Sequence, residues 1–185
     1  VVIGAMMFAP LLSPLVAASI SMAVGDIKLM KRSISTALIS VFVTLAGATA
    51  GALLFSSPTE LLNLFTESTP LKVALAGLVG SAASFTSATG RQDQVAGVAV
   101  AIALVPPLAA SGVHLSKLDI VLSMKAFLTA FVNMLGILVA GSLSFRFLGL
   151  KPSTYYKEVA ARRMWRWMPF ATALLLITGY LSWII

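Results

Sequence analysis

The chain contains no cysteine, which excludes disulfide frameworks, thiolate metal sites and cysteine nucleophiles. It is nearly as short of charge: charged residues make up 10% of the 185 positions, and only six are Asp or Glu. Soluble domains average roughly 25% charged residues, so this composition does not suit a surface facing water on all sides. There is one histidine. No HExxH pair, phosphate-binding loop, GxSxG elbow in a suitable setting or metal-ligand cluster occurs. These absences argue against an enzyme and against a metal or other cofactor. The formal net charge is +7, but no basic stripe is interleaved with stacking aromatics, so nucleic acid is not the expected partner.

What the chain does have is apolar sequence. Residues of the hydrophobic class make up 59%, and the mean hydropathy is +0.99. At about 20 residues per crossing there is room for about six transmembrane helices and little else. The runs predict spans over 1–24, 33–55, 70–90, 94–115, 119–147 and 167–185. Because the sequence opens inside a hydrophobic run at Val1 with no basic leader, an N-terminal region is expected to precede it.

The cations are unevenly placed. With six spans, ten Lys and Arg fall in the loops of one side and three on the other. The rich side is expected in the cytoplasm, with attraction to anionic headgroups. Six of the ten lie near the 149–166 segment, which holds Lys151, Lys157, Arg162, Arg163 and Arg166 beside Tyr155, Tyr156 and Trp165. Pro152-Ser153 is a helix-start signal. Tyr155, Val159 and Met164 can share a face, so this segment reads as an amphipathic connector at headgroup depth.

An internal repeat is the strongest organising signal. A shift of 93 residues superimposes Gly4 on Gly97, Leu11 on Leu104, Pro14 on Pro107, Leu15 on Leu108, and Asp26-Ile27 on Asp119-Ile120. Between Gly4 and Leu45 there are 11 identities in 42 positions, against roughly four expected by chance in so biased a composition. Weak internal symmetry of this kind is how transporter repeats show themselves. The expected halves are 1–93 and 94–185, each of three spans. Three is odd, so the second half would enter the membrane from the opposite side.

Pro14 and Pro107 fall at matching places near the middle of spans one and four, reinforced by Pro10 and Pro106. A proline removes a backbone donor and disturbs the preceding turn, and lipid offers the freed carbonyl nothing. Spans one and four are therefore expected to be broken and to face each other at the centre of the bundle. Ser13, Ser19, Ser111 and Gly112 lie close by, and Asn133 is mid-span in the next helix, with Ser40 as its counterpart. Asp26 and Asp119 are expected to cap the helices that follow them. Gly47 with Gly51, and Gly136 with Ala140, form small faces for close helix packing and permit a homo-oligomer. His114 reads as a structural histidine near a span end. The hydroxyl-rich end of span three, from Ser81 to Thr89, is a weak candidate for a polar path, since Ser and Thr also bond within their own helix.

Several of these runs resemble a known family. Val2-Ile3-Gly4-Ala5-Met6, Ala9-Pro10-Leu11-Leu12-Ser13-Pro14 and Gly25-Asp26 are similar to the first motif of the prokaryotic uncharacterized hydrophobic domain, a domain of unknown function. Ala96-Gly97-Val98-Ala99-Val100-Ala101 with Ala103-Leu104-Val105-Pro106-Pro107-Leu108-Ala109 resembles its second, and Asn133-Met134-Leu135-Gly136-Ile137 its third. The resemblance covers about 1–141. It implies a multi-pass protein of the bacterial or archaeal inner (cytoplasmic) membrane, often preceded by a soluble segment and a further span, and it supplies no substrate.

The sequence therefore predicts an all-α integral membrane protein. About six transmembrane helices form a single domain of two inverted three-helix repeats, the first helix of each broken at proline. The expected function is a channel or secondary transporter for a small anionic or neutral solute, with Ser13, Pro14, Pro107, Ser111, Gly112 and Asn133 around its site. The alternative is a structural or regulatory membrane module that anchors a soluble domain or a partner complex. The expected partners are the bilayer and a small solute or ion.

Overall fold

The computed structural model describes residues 11–55, 64–66, 70–89 and 94–184, and the regular structure among them is entirely helical. Seven helices follow in order: α1 Leu12–Val24, α2 Ile27–Leu54, α3 Pro70–Ala88, α4 Gln94–Ser116, α5 Ile120–Phe147, α6 Tyr155–Trp165 and α7 Met168–Ile184. Expectations that fall on 1–10, on 56–63, or on Arg91 and Asp93 lie outside the described residues. Two helices, α2 and α5, are long and apolar enough to cross a membrane, and shorter apolar stretches occur in α1, α3 and α4.

The start of α2 lies six residues before the expected 33, because a cap rather than hydropathy decides it. The Asp26 carboxylate accepts from Leu29 N–H at 3.0 Å, which satisfies one of the donors that a helix start leaves free. Asp119 does the same for α5, accepting from Leu122 N–H at 3.1 Å. The turn before each cap is also shared. Gly25 has φ 75° and Leu118, 93 positions on, has φ 59°. Asp26 N–H donates to the Ser21 carbonyl and Asp119 N–H to the His114 carbonyl, each at 3.0 Å. Both ends of α5 lie 93 residues beyond those of α2, and each of the two helices has 28 residues.

The correspondence extends to packing. Gly112 on α4 approaches α2 so closely that an added Cβ would stand 2.7 Å from the Cβ of Ala48. The counterpart pair is Ser19 on α1 and Gly141 on α5, where an added Cβ on the glycine would stand 2.8 Å from the Ser19 hydroxyl. In each pair glycine appears on one partner, so the two helices touch nearly backbone to side chain. Leu11 and Leu15 join their counterparts Leu104 and Leu108 in one buried cluster with Val105, Ala130 and Ile137. The first helices of the two halves thus meet through leucines.

The third helices depart from this pattern. Both α3 and α7 pack on α5, which also holds α1 and α4, whereas α2 packs substantially only on α1 and α4. Gly80 explains the closeness of α3: an added Cβ there would stand 2.6 Å from the Ile137 Cα. Within its most apolar stretch α5 is 56% buried and α2 only 28%.

The 149–166 segment does contain a short helix, α6. It lies across the α1–α2 corner, where Lys157 makes a 3.2 Å ion pair with Asp26. The Leu29 N–H first, and then Lys157, hold the Asp26 carboxyl below its ordinary 3.8. A lowered carboxyl favours the folded state above that ordinary value. The contribution is lost as pH falls through the lowered one.

Candidate functional site

The expected interruption of the fourth span takes a different form from a gap. Helix α4 runs continuously from Gln94 to Ser116 with Pro106 and Pro107 inside it. Pro107 has no N–H to give the carbonyl four residues back, which is that of Ala103. Asn133 on α5 supplies the missing donor: its Nδ2 reaches the Ala103 oxygen at 2.8 Å. A side chain 30 residues away in sequence thus replaces the lost rung, and the helix survives its proline pair.

This bond fixes the orientation of the amide. Reversing the group would set Oδ1 against a carbonyl oxygen, so the nitrogen must face Ala103. Oδ1 then points elsewhere, and it is buried without a partner among the described residues. Asn133 as a whole is 5% exposed. Ala130 and Ile137, one turn to either side on the same face of α5, both belong to the leucine cluster. A lone acceptor therefore sits at the edge of an apolar centre, where an unmet hydrogen bond costs about 1–3 kcal/mol.

One turn beyond Pro107, Ser111 is buried and closed by α5. Its hydroxyl lies 3.2 Å from that of Ser123, which also donates to the Ser111 carbonyl at 2.9 Å. Gly112 is the close-approach residue against α2. In the first half, Pro14 is buried in the first turn of α1, where its missing N–H is one that no helix uses. Ser13 beside it is exposed. The structure therefore brings Pro107 and Asn133 together through Ala103, and Ser111 together with Ser123. Ser13 stands apart on the surface of α1.

Other expectations divide in the same way. A Cβ added to Gly136 would stand 3.5 Å from the Ala76 Cβ of α3, as a small face should, whereas one on Gly47 would meet nothing within 4 Å among the described residues. His114 is buried, and its Nε2 has no partner. The hydroxyls of Ser81, Ser84 and Ser87 each donate to a carbonyl four residues back on their own helix. Sequence reasoning missed Gly80 and Gly141. The glycine at 141 stands where its counterpart is Ala48, and that mismatch hides it from a search for identities.

The chain is 30% identical over 165 residues to an uncharacterized protein of Methanocaldococcus jannaschii, a match covering 87% of this chain and 51% of that one. It thus spans about half the length of the relative it matches. No solved structure matches it. A family profile described as Domain of unknown function (DUF389) matches residues 6–139, which includes the paired caps, Pro14, Pro107, Ser111, Gly112 and Asn133, and the chain belongs to that family.

Proposed function

We propose that this is a multi-pass protein of the inner membrane that carries a small solute across it. Its domain would be built from two inverted repeats, α1 to α3 and α4, α5 and α7, with α6 lying at the cytoplasmic surface. The observation that carries the proposal is the Pro107–Ala103–Asn133 arrangement. A helix that has lost a backbone rung, held by a side chain with one buried acceptor to spare, sits beside the meeting point of two equivalent helices. Proline-bearing helices at corresponding places in two halves point to a transporter's substrate site, although here α4 continues through its prolines and Pro14 sits in the first turn of α1. Irregular backbone at membrane depth persists beside protein or a wet cavity.

Among the anionic and neutral solutes expected from the sequence, the Asn133 Oδ1 favours the neutral class. A free acceptor welcomes a hydroxyl or amide donor and repels an anion. The leucines at the meeting of α1 and α4 would then form the closed gate of a carrier, parted when one repeat rocks against the other.

A second reading has its own support. The leucine-packed centre and the bare face of α2 suit a structural or regulatory module that pairs with another protein. Flux into proteoliposomes, measured over a panel of small anions, cations and neutral polyols and amides, separates the two. A carrier gives flux of a restricted solute class that Asn133→Leu abolishes while the protein stays folded. Absence of flux for every solute, from folded protein of known orientation, rejects transport in favour of the module.

A further inference from the structure

The cytoplasmic end of the molecule holds a feature that plays no part in the transport reading. Between the last turn of α5 and helix α6 lies an open cavity of about 740 Å³, whose wall includes Arg146, Lys151, Arg162, Arg166 and Trp165. One carboxylate shares it, that of Glu158, which is taken by Arg162. Arg146 lies over the Trp165 ring, its guanidinium carbon 4.5 Å from the ring centroid. Among the described residues none of Arg146, Lys151 and Arg166 has a carboxylate partner. Three cations without counter-ions therefore converge on one concave surface. Such a grouping gives the surface a positive potential that attracts an anion.

A second depression adjoins the first and shares Arg146 and Trp165 with it, but its remaining walls are Leu143 and Phe147. Phe147 is 87% exposed. The two depressions together make an amphiphilic site, with a basic bowl opening through an arginine and a tryptophan onto an apolar trough. Free phosphate or a soluble nucleotide would use the bowl and leave the trough empty. A phospholipid fills both. Tyr155 and Tyr156 on α6, Trp167 in the turn after it and Phe170 on α7 are exposed, as aromatic residues are at headgroup depth.

We propose that this double depression is a binding site for an anionic phospholipid, its phosphate among Arg146, Lys151 and Arg166 and an acyl chain along Leu143 and Phe147. The site rests on the membrane placement proposed above but not on transport, so it stands whether or not a solute is carried. Because α6 is tied to the α1–α2 corner through Lys157 and Asp26, a lipid that bridges α5 and α6 would also fasten the second half to the first.

The test is native mass spectrometry of the purified, delipidated full chain in detergent, offered phosphatidylglycerol and phosphatidylcholine in equal amounts. Phosphatidylglycerol should be retained in preference. The doubly substituted Lys151→Gln, Arg166→Gln protein should lose that preference by roughly tenfold or more, since each surface cation strengthens anionic-lipid binding about fivefold. Phe147→Ala should weaken retention of both lipids alike. A control that removes two cations elsewhere, Lys28→Gln with Lys31→Gln, should keep the preference, and all variants should match the parent in helix content. Equal retention of the two lipids overturns the proposal. So does a preference that survives the double substitution or falls equally in the control. Displacement of the lipid by millimolar inorganic phosphate, with Phe147→Ala without effect, would make the bowl a site for the free anion and overturn the lipid assignment. Misplacement in the membrane would show separately, as a chain soluble without detergent.

Discussion

Two corners of this molecule have the same backbone and different lives. At Gly25-Asp26 and at Leu118-Asp119 the chain turns through a left-handed residue, and an aspartate then caps a 28-residue helix. At the first corner α6 lies on the turn: a Cβ on Gly25 would stand 1.9 Å from the Lys157 carbonyl oxygen. At the second, Leu118 is exposed, and it carries a side chain that the left-handed region disfavours. Glycine is thus required at the first corner by a neighbour. At the second the same turn tolerates leucine because nothing crowds it and its cap holds it. The two corners follow the same backbone path 93 residues apart, while α6 decides which side chains the first of them accepts.

Exchanging counterparts 93 residues apart breaks or sharpens that contrast. Gly25→Leu should be the most damaging, losing about 3 kcal/mol or more, because it adds both a strained φ and a collision with the α6 backbone. Thermal unfolding in detergent reads it, and a loss below that of ordinary surface changes would mean that α6 is not seated on the corner. Gly112→Ser, which copies Ser19, should cost about 2 kcal/mol by overpacking against Ala48. An unchanged melting temperature would show that α2 and α4 are further apart. Asn133→Ser, copying Ser40, should cost about 1–2 kcal/mol by freeing the Ala103 carbonyl, and infrared spectra of a 13C-labelled Ala103 should shift as that bond is lost. The smallest effect carries the opposite sign. Leu118→Gly should stabilise by up to about 1 kcal/mol through relief of the left-handed residue, and a loss of stability would show that the leucine makes a contact of its own.

Much of this organisation was legible in the sequence. The aspartate pair was readable as caps because a cap needs only a local acceptor ahead of an apolar run, and the offset of 93 carried over intact to helix ends and turns. The proline pair pointed to Asn133's region, but its consequence was misjudged. Helix α4 continues through Pro107, because the missing donor comes from another helix, and no local pattern announces a partner 30 residues away. Gly47 looked like a packing glycine, but a Cβ there would meet nothing among the described residues, whereas Gly80 and Gly141 carried no signal and make close approaches. Close approach depends on which faces meet, and that was hidden by the failure of the repeat in its third helices. The ion pair between Asp26 and Lys157 was equally beyond a linear reading, since it joins the first corner to a segment far along the chain.

The unequal company of α2 and α5 also bears on how the protein is made. Helix α3 finds its main neighbour in α5, which is still within the ribosome or unsynthesised when α3 emerges. The first half therefore leaves the ribosome with its third helix in only slight contact with α1, and α3 gains its main packing when the second half has followed. Assembly runs backward along the chain, with α5 as the late-arriving post to which earlier helices are fixed. A nascent chain arrested before Ile120 should remain open to proteases along α3, and one arrested after Phe147 has cleared the ribosome should be closed.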